Sequence, residues 1–228
     1  MDGNGRFAVA RKQPRLYGHQ QGIETLKNIV RVCPELGVDT LTLFAFAQAN
    51  WKRDAQEVNG LWELFSHFVK EDAQKLVAEG VRIRIIGDRE GLPKHVQQSV
   101  EQIEHDSTSN KKFLLQVGLN YDGLDEVVRL VQKAIKEGFT PETVTREYID
   151  EHLDTEPGNP PDILIRTGMP ALLDGMGVWR SSSFLPLQSV ESVCVSVETL
   201  WPEFTPTHLQ KVIAYADVES RLFGGQRG

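Results

Sequence analysis

Apolar, β-branched runs alternate with amphipathic stretches along this chain. Runs at Asp39–Phe46, Val81–Gly87, Phe113–Asn120, Asp162–Thr167 and Ser192–Val197 read as buried strands. Apolar positions spaced by three and four predict helices over His19–Glu35, Asp54–Glu79, Pro93–His105, Leu124–Glu137, Pro141–Leu153 and Pro206–Leu222. The second of these carries Val58, Leu61, Trp62, Phe65, Phe68 and Val69 on one face, which suits core packing. This alternation predicts an α/β fold, with a mostly parallel central sheet of about five or six strands flanked by helices. Thr140 and Pro141 read as an N-cap and first helical residue, and Glu156–Pro161 cannot continue a helix. With no internal repeat, low-complexity tract or linker, residues 1–228 read as a single domain.

Composition narrows the function classes. The net charge of −7 argues against a general nucleic-acid binder, which needs a basic face to displace counterions. It leaves room for a small anionic substrate held by a local arginine cluster. Cys33 and Cys194 lie far apart in apolar contexts, which predicts buried packing residues in a reducing compartment rather than a disulfide or zinc framework. The apolar runs fall short of the roughly 20 residues that span a bilayer. No signal peptide is evident, so the reading is a cytoplasmic protein without an integral membrane segment.

The candidate chemistry begins at Asp2-Gly3-Asn4-Gly5-Arg6. Gly3 and Gly5 let backbone N–H groups approach an anion, Arg6 suits phosphate oxygens, and Asp2 suits Mg²⁺. Two other readings exist. Gly3, Gly5 and Ala8 fit a GxGxxA dinucleotide fingerprint, but that fingerprint requires a strand immediately before it. A surface turn without function is the plainer one. Arg15, His19, Asn50, Trp51 and Arg53 supply company, in the contexts RLYGHQQG and ANWKRDAQEV. They fall near the first predicted helix start and after the first predicted strand, where open parallel sheets bind ligands.

With MDGNGRFA, RLYGHQQG, FAFAQANWKRDAQEVNGLWELF, VRIRIIGDRE, LNYDG, DILIRTG and ETLWPEF in order, the chain resembles the undecaprenyl diphosphate synthase, or cis-prenyltransferase, family over nearly its whole length. The all-helical trans-prenyltransferases rely on DDxxD clusters, and this chain has no DD pair. The resemblance implies the cis-prenyltransferase fold, prenyl diphosphate substrates and Mg²⁺ as cofactor. It implies that Asp2 is the metal-binding aspartate needed to ionise an allylic diphosphate cradled by Asn4, Gly5, Arg6, Arg15, His19 and Arg53. Asn50 would assist proton removal, and Arg166 would grip the second substrate's diphosphate. A homodimer is implied, with the tail near SRLFGG reaching the partner's site. The helix carrying Trp62 would line the hydrocarbon tunnel, where an indole suits a short product.

The chain also departs from the family. Where the family reads FSxEN, this chain has Phe46-Ala47-Gln48-Ala49-Asn50, so methyl groups replace a hydroxyl and a carboxylate. Where the family continues RTxGExRxSNFLLWQSxxAE, RTG is followed here by MPALLDGMGVW and then Arg180-Ser181-Ser182. Aligning back from ETLWPEF puts Arg180 and Ser182 on the family's phosphate-binding arginine and serine. It puts Val193 on a metal-binding glutamate, with Glu191 two residues earlier on the same strand face. The first-substrate site thus looks intact and the second remodelled, a pattern resembling the lavandulyl-type, head-to-middle branch that uses dimethylallyl diphosphate as acceptor. An ordinary head-to-tail synthase adding isopentenyl diphosphate is the alternative, and a non-catalytic prenyltransferase subunit a third. The family's opening run normally follows a buried strand; either the sheet does without it or the start lies upstream. If Met1 is the terminus, its amine, with a pKa of about 8, competes with Mg²⁺ for Asp2.

Overall fold

The computed structural model describes residues 1–169 and 180–222, the side chains of 219–222 excepted. Three strands, β1 (Thr40–Ala47), β2 (Val81–Ile86) and β3 (Phe113–Tyr121), form a parallel sheet in the order β1-β3-β2. Thr40 stands opposite Leu114, and Val81 opposite Phe113. Flanked on both edges, β3 is buried along its whole length, which explains its mostly apolar sequence, broken only by Gln116 and Asn120 before Tyr121. Two further strands, β4 (Ile163–Arg166) and β5 (Val193–Ser196), pair in parallel with each other, Ile163 opposite Val193 and Arg166 opposite Ser196.

The single sheet of five or six strands is therefore corrected to three plus two. β1 and β4 share no ladder, because both border one cavity. Near the amino ends of these strands the gap is bridged by Asn159 Nδ2, which donates to Thr40 Oγ1 at 2.6 Å.

Eight helices surround the strands among the described residues: α1 (Asn4–Ala10), α2 (Arg15–Val32), α3 (Ala55–Phe68), α4 (Gln74–Ala78), α5 (Lys94–Ser107), α6 (Gly123–Lys136), α7 (Arg146–His152) and α8 (Pro206–Leu222). The chain is compatible with the α1–α2 approach only because residue 18 is glycine: a Cβ there would lie 1.9 Å from the Asn4 carbonyl oxygen. Asp54 caps α3 by accepting from the Gln56 and Glu57 N–H groups.

Several helix boundaries differ from the sequence reading, α2 among them, which runs Arg15–Val32 rather than His19–Glu35. The helix expected over Asp54–Glu79 is interrupted by a π turn, Val69–Ala73, which buries Val69 and Ala73 and turns Asp72 to Lys27, 3.3 Å away. The helix expected from Pro141 starts at Arg146, because Thr145 is the cap that accepts the Tyr148 N–H. Thr140 instead closes a turn with Thr143.

The main core joins Leu26, Ile29 and Val30 of α2 to Trp62 and Phe68 of α3 and to Ile83, Ile85, Leu115 and Val117 of the sheet. Cys33 belongs to this core, and burial pushes its thiol up to about 12. Cys194, also expected to be buried, is exposed, because the alternation along β5 turns it outward. No helix among the described residues is long and apolar enough to cross a membrane.

Candidate active site

The parallel strands bring their carboxyl ends to one side of the molecule, and the opening motif lies there. Asp2 is pinned through its backbone. Its N–H donates to Thr167 Oγ1 at 2.9 Å, the same hydroxyl donates back to the Asp2 carbonyl at 2.9 Å, and the Trp201 N–H donates to that carbonyl at 3.0 Å. Thr167, immediately after β4, thus fixes the motif to the strand. Gly3, at φ +111°, then turns the chain into α1, a backbone state that glycine adopts without strain.

Two arginines converge on the Asp2 carboxylate. Arg166 Nη2 lies 3.2 Å from Oδ2, and Arg6 Nη2 lies 3.4 Å from Oδ1. About half of the Asp2 side chain is exposed, so the group is accessible to a ligand. The Met1 amine was expected as a competing cation. For a chain that starts at Met1, burial pushes that amine down to about 6, with Asp2 working against the shift and Arg166 with it.

A second group of cations forms on α2 and at the start of α3. Arg15 Nε lies 3.5 Å and Arg53 Nη1 3.1 Å from the two oxygens of Glu57, a residue the sequence reading did not single out. His19 shares this environment. Burial pushes its pKa down to about 4, with the Arg53 and Arg15 charges adding to the shift and Glu57 opposing it. The imidazole is therefore neutral at pH 7. Gly5 completes the link to the opening motif, since a Cβ there would sit 2.9 Å from the Arg15 guanidinium. Asn4 Oδ1 is buried and has no hydrogen-bond partner within the protein.

β1 enters the site through irregular pairing. Its register against β3 shifts between Phe44 and Ala47, and the chain then makes a 3₁₀ turn, Gln48–Lys52. Asn50 Oδ1 accepts the Ala47 N–H at 3.1 Å, and the Trp51 indole N–H donates to Asn120 Oδ1 at 2.7 Å. Trp51, Phe46 and Trp62 form one aromatic cluster, with ring centroids 4.4 to 5.4 Å apart.

The residues predicted for the second substrate gather around Arg166. Its Nη1 lies 3.5 Å from Ser182 Oγ and also contacts the Arg180 carbonyl. Ser182, Ser183 and Leu185 adopt φ of +54°, +60° and +49°, so this segment is held in a left-handed backbone. Three anchors hold it. Leu185 is buried against Ile86 and Tyr121, Phe184 stacks on Phe44, and Gly123 N–H donates to the Ser183 carbonyl. Buried Glu126 is a fourth anchor: it accepts from Tyr121 Oη at 2.6 Å, from Gln188 Nε2 at 3.1 Å and from the Asp154 N–H at 2.7 Å. The stretch from Pro170 to Trp179 lies outside the described residues, as do residues 223–225 of the SRLFGG tail.

A cavity of about 970 Å³ opens from these groups into the protein. Asp2, Asn4, His19, Asn50, Arg53, Arg166, Arg180 and Ser182 line it together with apolar Leu26, Ile29, Leu61, Trp62, Phe65 and Phe204. It combines an apolar interior with a few polar groups, as a site for an amphiphilic small molecule requires. Trp62 lines the cavity without closing it.

Among the described residues, no three His, Cys, Asp or Glu side chains converge as a metal cage. Asp2 nonetheless suits Mg²⁺, which binds through one or two carboxylates plus substrate phosphate oxygens. Val193 begins β5, three residues and roughly 10 Å below Ser196, the partner of Arg166. Glu191 falls in the turn before β5, not on the strand face expected for it.

The family model described as "Putative undecaprenyl diphosphate synthase" matches residues 1–224. Isoprenyl transferase 2 of Bradyrhizobium diazoefficiens is 37% identical, covering 99% of this chain and 88% of that protein. The isoprenyl transferase of Aquifex aeolicus is 36% identical, covering 98% and 93%. Among solved structures, lavandulyl diphosphate synthase from Lavandula x intermedia, in complex with dimethylallyl diphosphate, superposes with a TM-score of 0.86 at 25% identity, covering 95% of this chain and 92% of that one. A probable undecaprenyl diphosphate synthase from Campylobacter jejuni gives a TM-score of 0.75 at 26% identity, covering 87% and 89%. With arginines, an aspartate and an apolar cavity assembled where the shared motifs fall, the chain belongs to the undecaprenyl diphosphate synthase family of prenyltransferases.

Proposed function

We propose that this prenyltransferase condenses short allylic diphosphates head-to-middle, with dimethylallyl diphosphate as acceptor and pyrophosphate released. The observation that carries this reading is the turn at the end of β1. It presents the Asn50 amide and the Ala47 methyl group, and no carboxylate, to the cavity mouth. Structural likeness to a lavandulyl synthase solved with dimethylallyl diphosphate supports it.

In this reading the donor's diphosphate lies among Asn4, Arg6, Arg15, His19 and Arg53. The acceptor's diphosphate lies on Arg166, Arg180 and Ser182. Mg²⁺ held by Asp2 supplies charge neutralisation to the departing diphosphate. The cations around the donor stabilise negative charge as the C–O bond breaks, and Phe46 and Trp62 keep water from the allylic cation. Asn50 Nδ2, which makes no hydrogen bond among the described residues, is available to orient the acceptor. The released pyrophosphate takes the final proton, since the turn offers no carboxylate base.

A homodimer fits one further feature. α6 leaves Leu124, Val128, Val131 and Ile135 from 47% to 71% exposed in a single stripe, an apolar face of the kind two copies bury.

A second reading is head-to-tail addition of isopentenyl diphosphate, and the general name isoprenyl transferase of the relatives at 36–37% identity leaves it open. Purified protein with Mg²⁺ and dimethylallyl diphosphate alone separates the two. A branched or cyclic monoterpenyl diphosphate is expected. Linear Z-polyprenyl products that require isopentenyl diphosphate would overturn the reading, and no turnover with any combination would indicate a non-catalytic subunit.

A further inference from the structure

We infer that Asn120 is a positioning residue that holds Asn50 in place through Trp51. Asn120 is the penultimate residue of β3, beside Tyr121, and is only 3% exposed. At φ +48° it occupies the left-handed region, where asparagine is tolerated better than most side chains. Its amide is fully committed. Oδ1 accepts the Trp51 indole N–H at 2.7 Å, while Nδ2 donates to the Asp88 carbonyl at 3.0 Å and to Asp88 Oδ2 at 3.2 Å. The Asp88 N–H in turn donates to the Asn120 carbonyl at 3.2 Å, so the ends of β2 and β3 are locked around this one residue.

The consequence falls on the 3₁₀ turn that carries Asn50. The turn leaves the regular ladder where β1 slips register, so the sheet alone does not fix it. Two side-chain bonds do: Asn50 Oδ1 to the Ala47 N–H, and Trp51 Nε1 to Asn120. Trp51 is 38% exposed, too open for packing alone to set its orientation. The indole bond fixes Trp51, and the rigid one-residue step back along the turn fixes Asn50 at the cavity mouth. Because Asp88 holds Asn120, the loop after β2 contributes to the geometry of a site it does not reach.

This inference rests on the role proposed above for Asn50. The test uses Trp51→Phe, which keeps an aromatic ring and deletes the N–H, and Asn120→Gly, which deletes the amide while suiting a positive φ. Asn120→Asp combined with Asp88→Asn keeps an acceptor for the indole and restores a donor–acceptor pair between the two side chains, and serves as the rescue. In steady-state kinetics on the full chain, Trp51→Phe and Asn120→Gly are expected to lower kcat roughly ten- to hundredfold, as misplacement of a reacting group does. The donor KM should change less than threefold, and the Asn120→Asp, Asp88→Asn pair should recover much of the loss. Combining Asn120→Gly with Asn50→Ala should cost no more than Asn50→Ala alone. Thermal unfolding identifies variants that have merely lost the fold. Wild-type kcat in Trp51→Phe and Asn120→Gly, with Asn50→Ala impaired, would overturn the inference alone, as would losses that multiply with Asn50→Ala. Wild-type kcat in Asn50→Ala itself would overturn the role proposed for Asn50.

Discussion

Arg166 Nη2 lies 3.2 Å from Asp2 Oδ2, so an arginine proposed for one substrate touches the aspartate proposed for the other. Thr167, the next residue, clasps the Asp2 backbone, so the two proposed diphosphate sites share a wall built on the end of β4. Asp2→Ala is expected to lower kcat by at least about a thousandfold, because it removes the proposed metal anchor and unpairs two guanidinium groups. Arg166→Gln should act chiefly on the acceptor's KM. Chelating the metal from wild-type protein should reproduce the Asp2→Ala loss in a turnover assay.

Acid should weaken the fold through His19. Its folded pKa of about 4 lies below the ordinary 6.5, so the unfolded chain binds the extra proton between these values. Stability is then fully present above about pH 6.5 and is lost as pH falls toward 4. Denaturant titrations of wild type and His19→Gln should show a flatter pH dependence in the variant across that window.

Trp62 packs on Phe46 and Trp51 and lines the cavity. Trp62→Ala is expected to lengthen the accepted donor or the product, read by chromatography of the dephosphorylated alcohols. It should also cost about 3–5 kcal/mol of stability. An unchanged product profile in folded protein would assign the indole to packing alone.

Glu126 is the shared acceptor for Tyr121, Gln188 and the Asp154 N–H. Glu126→Ala strands these donors in a buried setting, at a cost of about 3 kcal/mol or more. Calorimetry should show a melting point lower by roughly 6–12 °C.

The α6 stripe offers a test of assembly. Val128→Lys and Ile135→Glu should yield monomers in light scattering while leaving the melting profile of the protomer recognisable.

The sequence made the strands legible because each is short, apolar and bounded by turn residues, as with Phe113–Asn120 against the observed Phe113–Tyr121. The candidate site was legible where chemistry is dense, at Asp2, Arg6, His19, Asn50, Arg53 and Arg166, which line one cavity or meet at its mouth. Glu57, Asn120, Glu126 and Thr167 were not singled out. Each acts by hydrogen-bonding a residue distant in sequence or one helical turn away, and no local pattern distinguishes such a group from a surface one. The RLYGHQQG and LNYDG motifs marked the right segments. The split of the sheet also escaped, since strand patterns do not say which edges meet.

The π turn Val69–Ala73 sets the phase of the long helical arm that it interrupts. A π turn holds a surplus residue relative to an α-turn, so α4 is rotated by about 100° from where α3 would have carried it. That offset lets Trp62 and Phe68 face the cavity while Leu76 still packs into the core. A single-residue deletion at Lys70 or Glu71 would therefore be a change of phase as well as length. It would straighten the arm and force a choice between seating the cavity wall and seating Leu76.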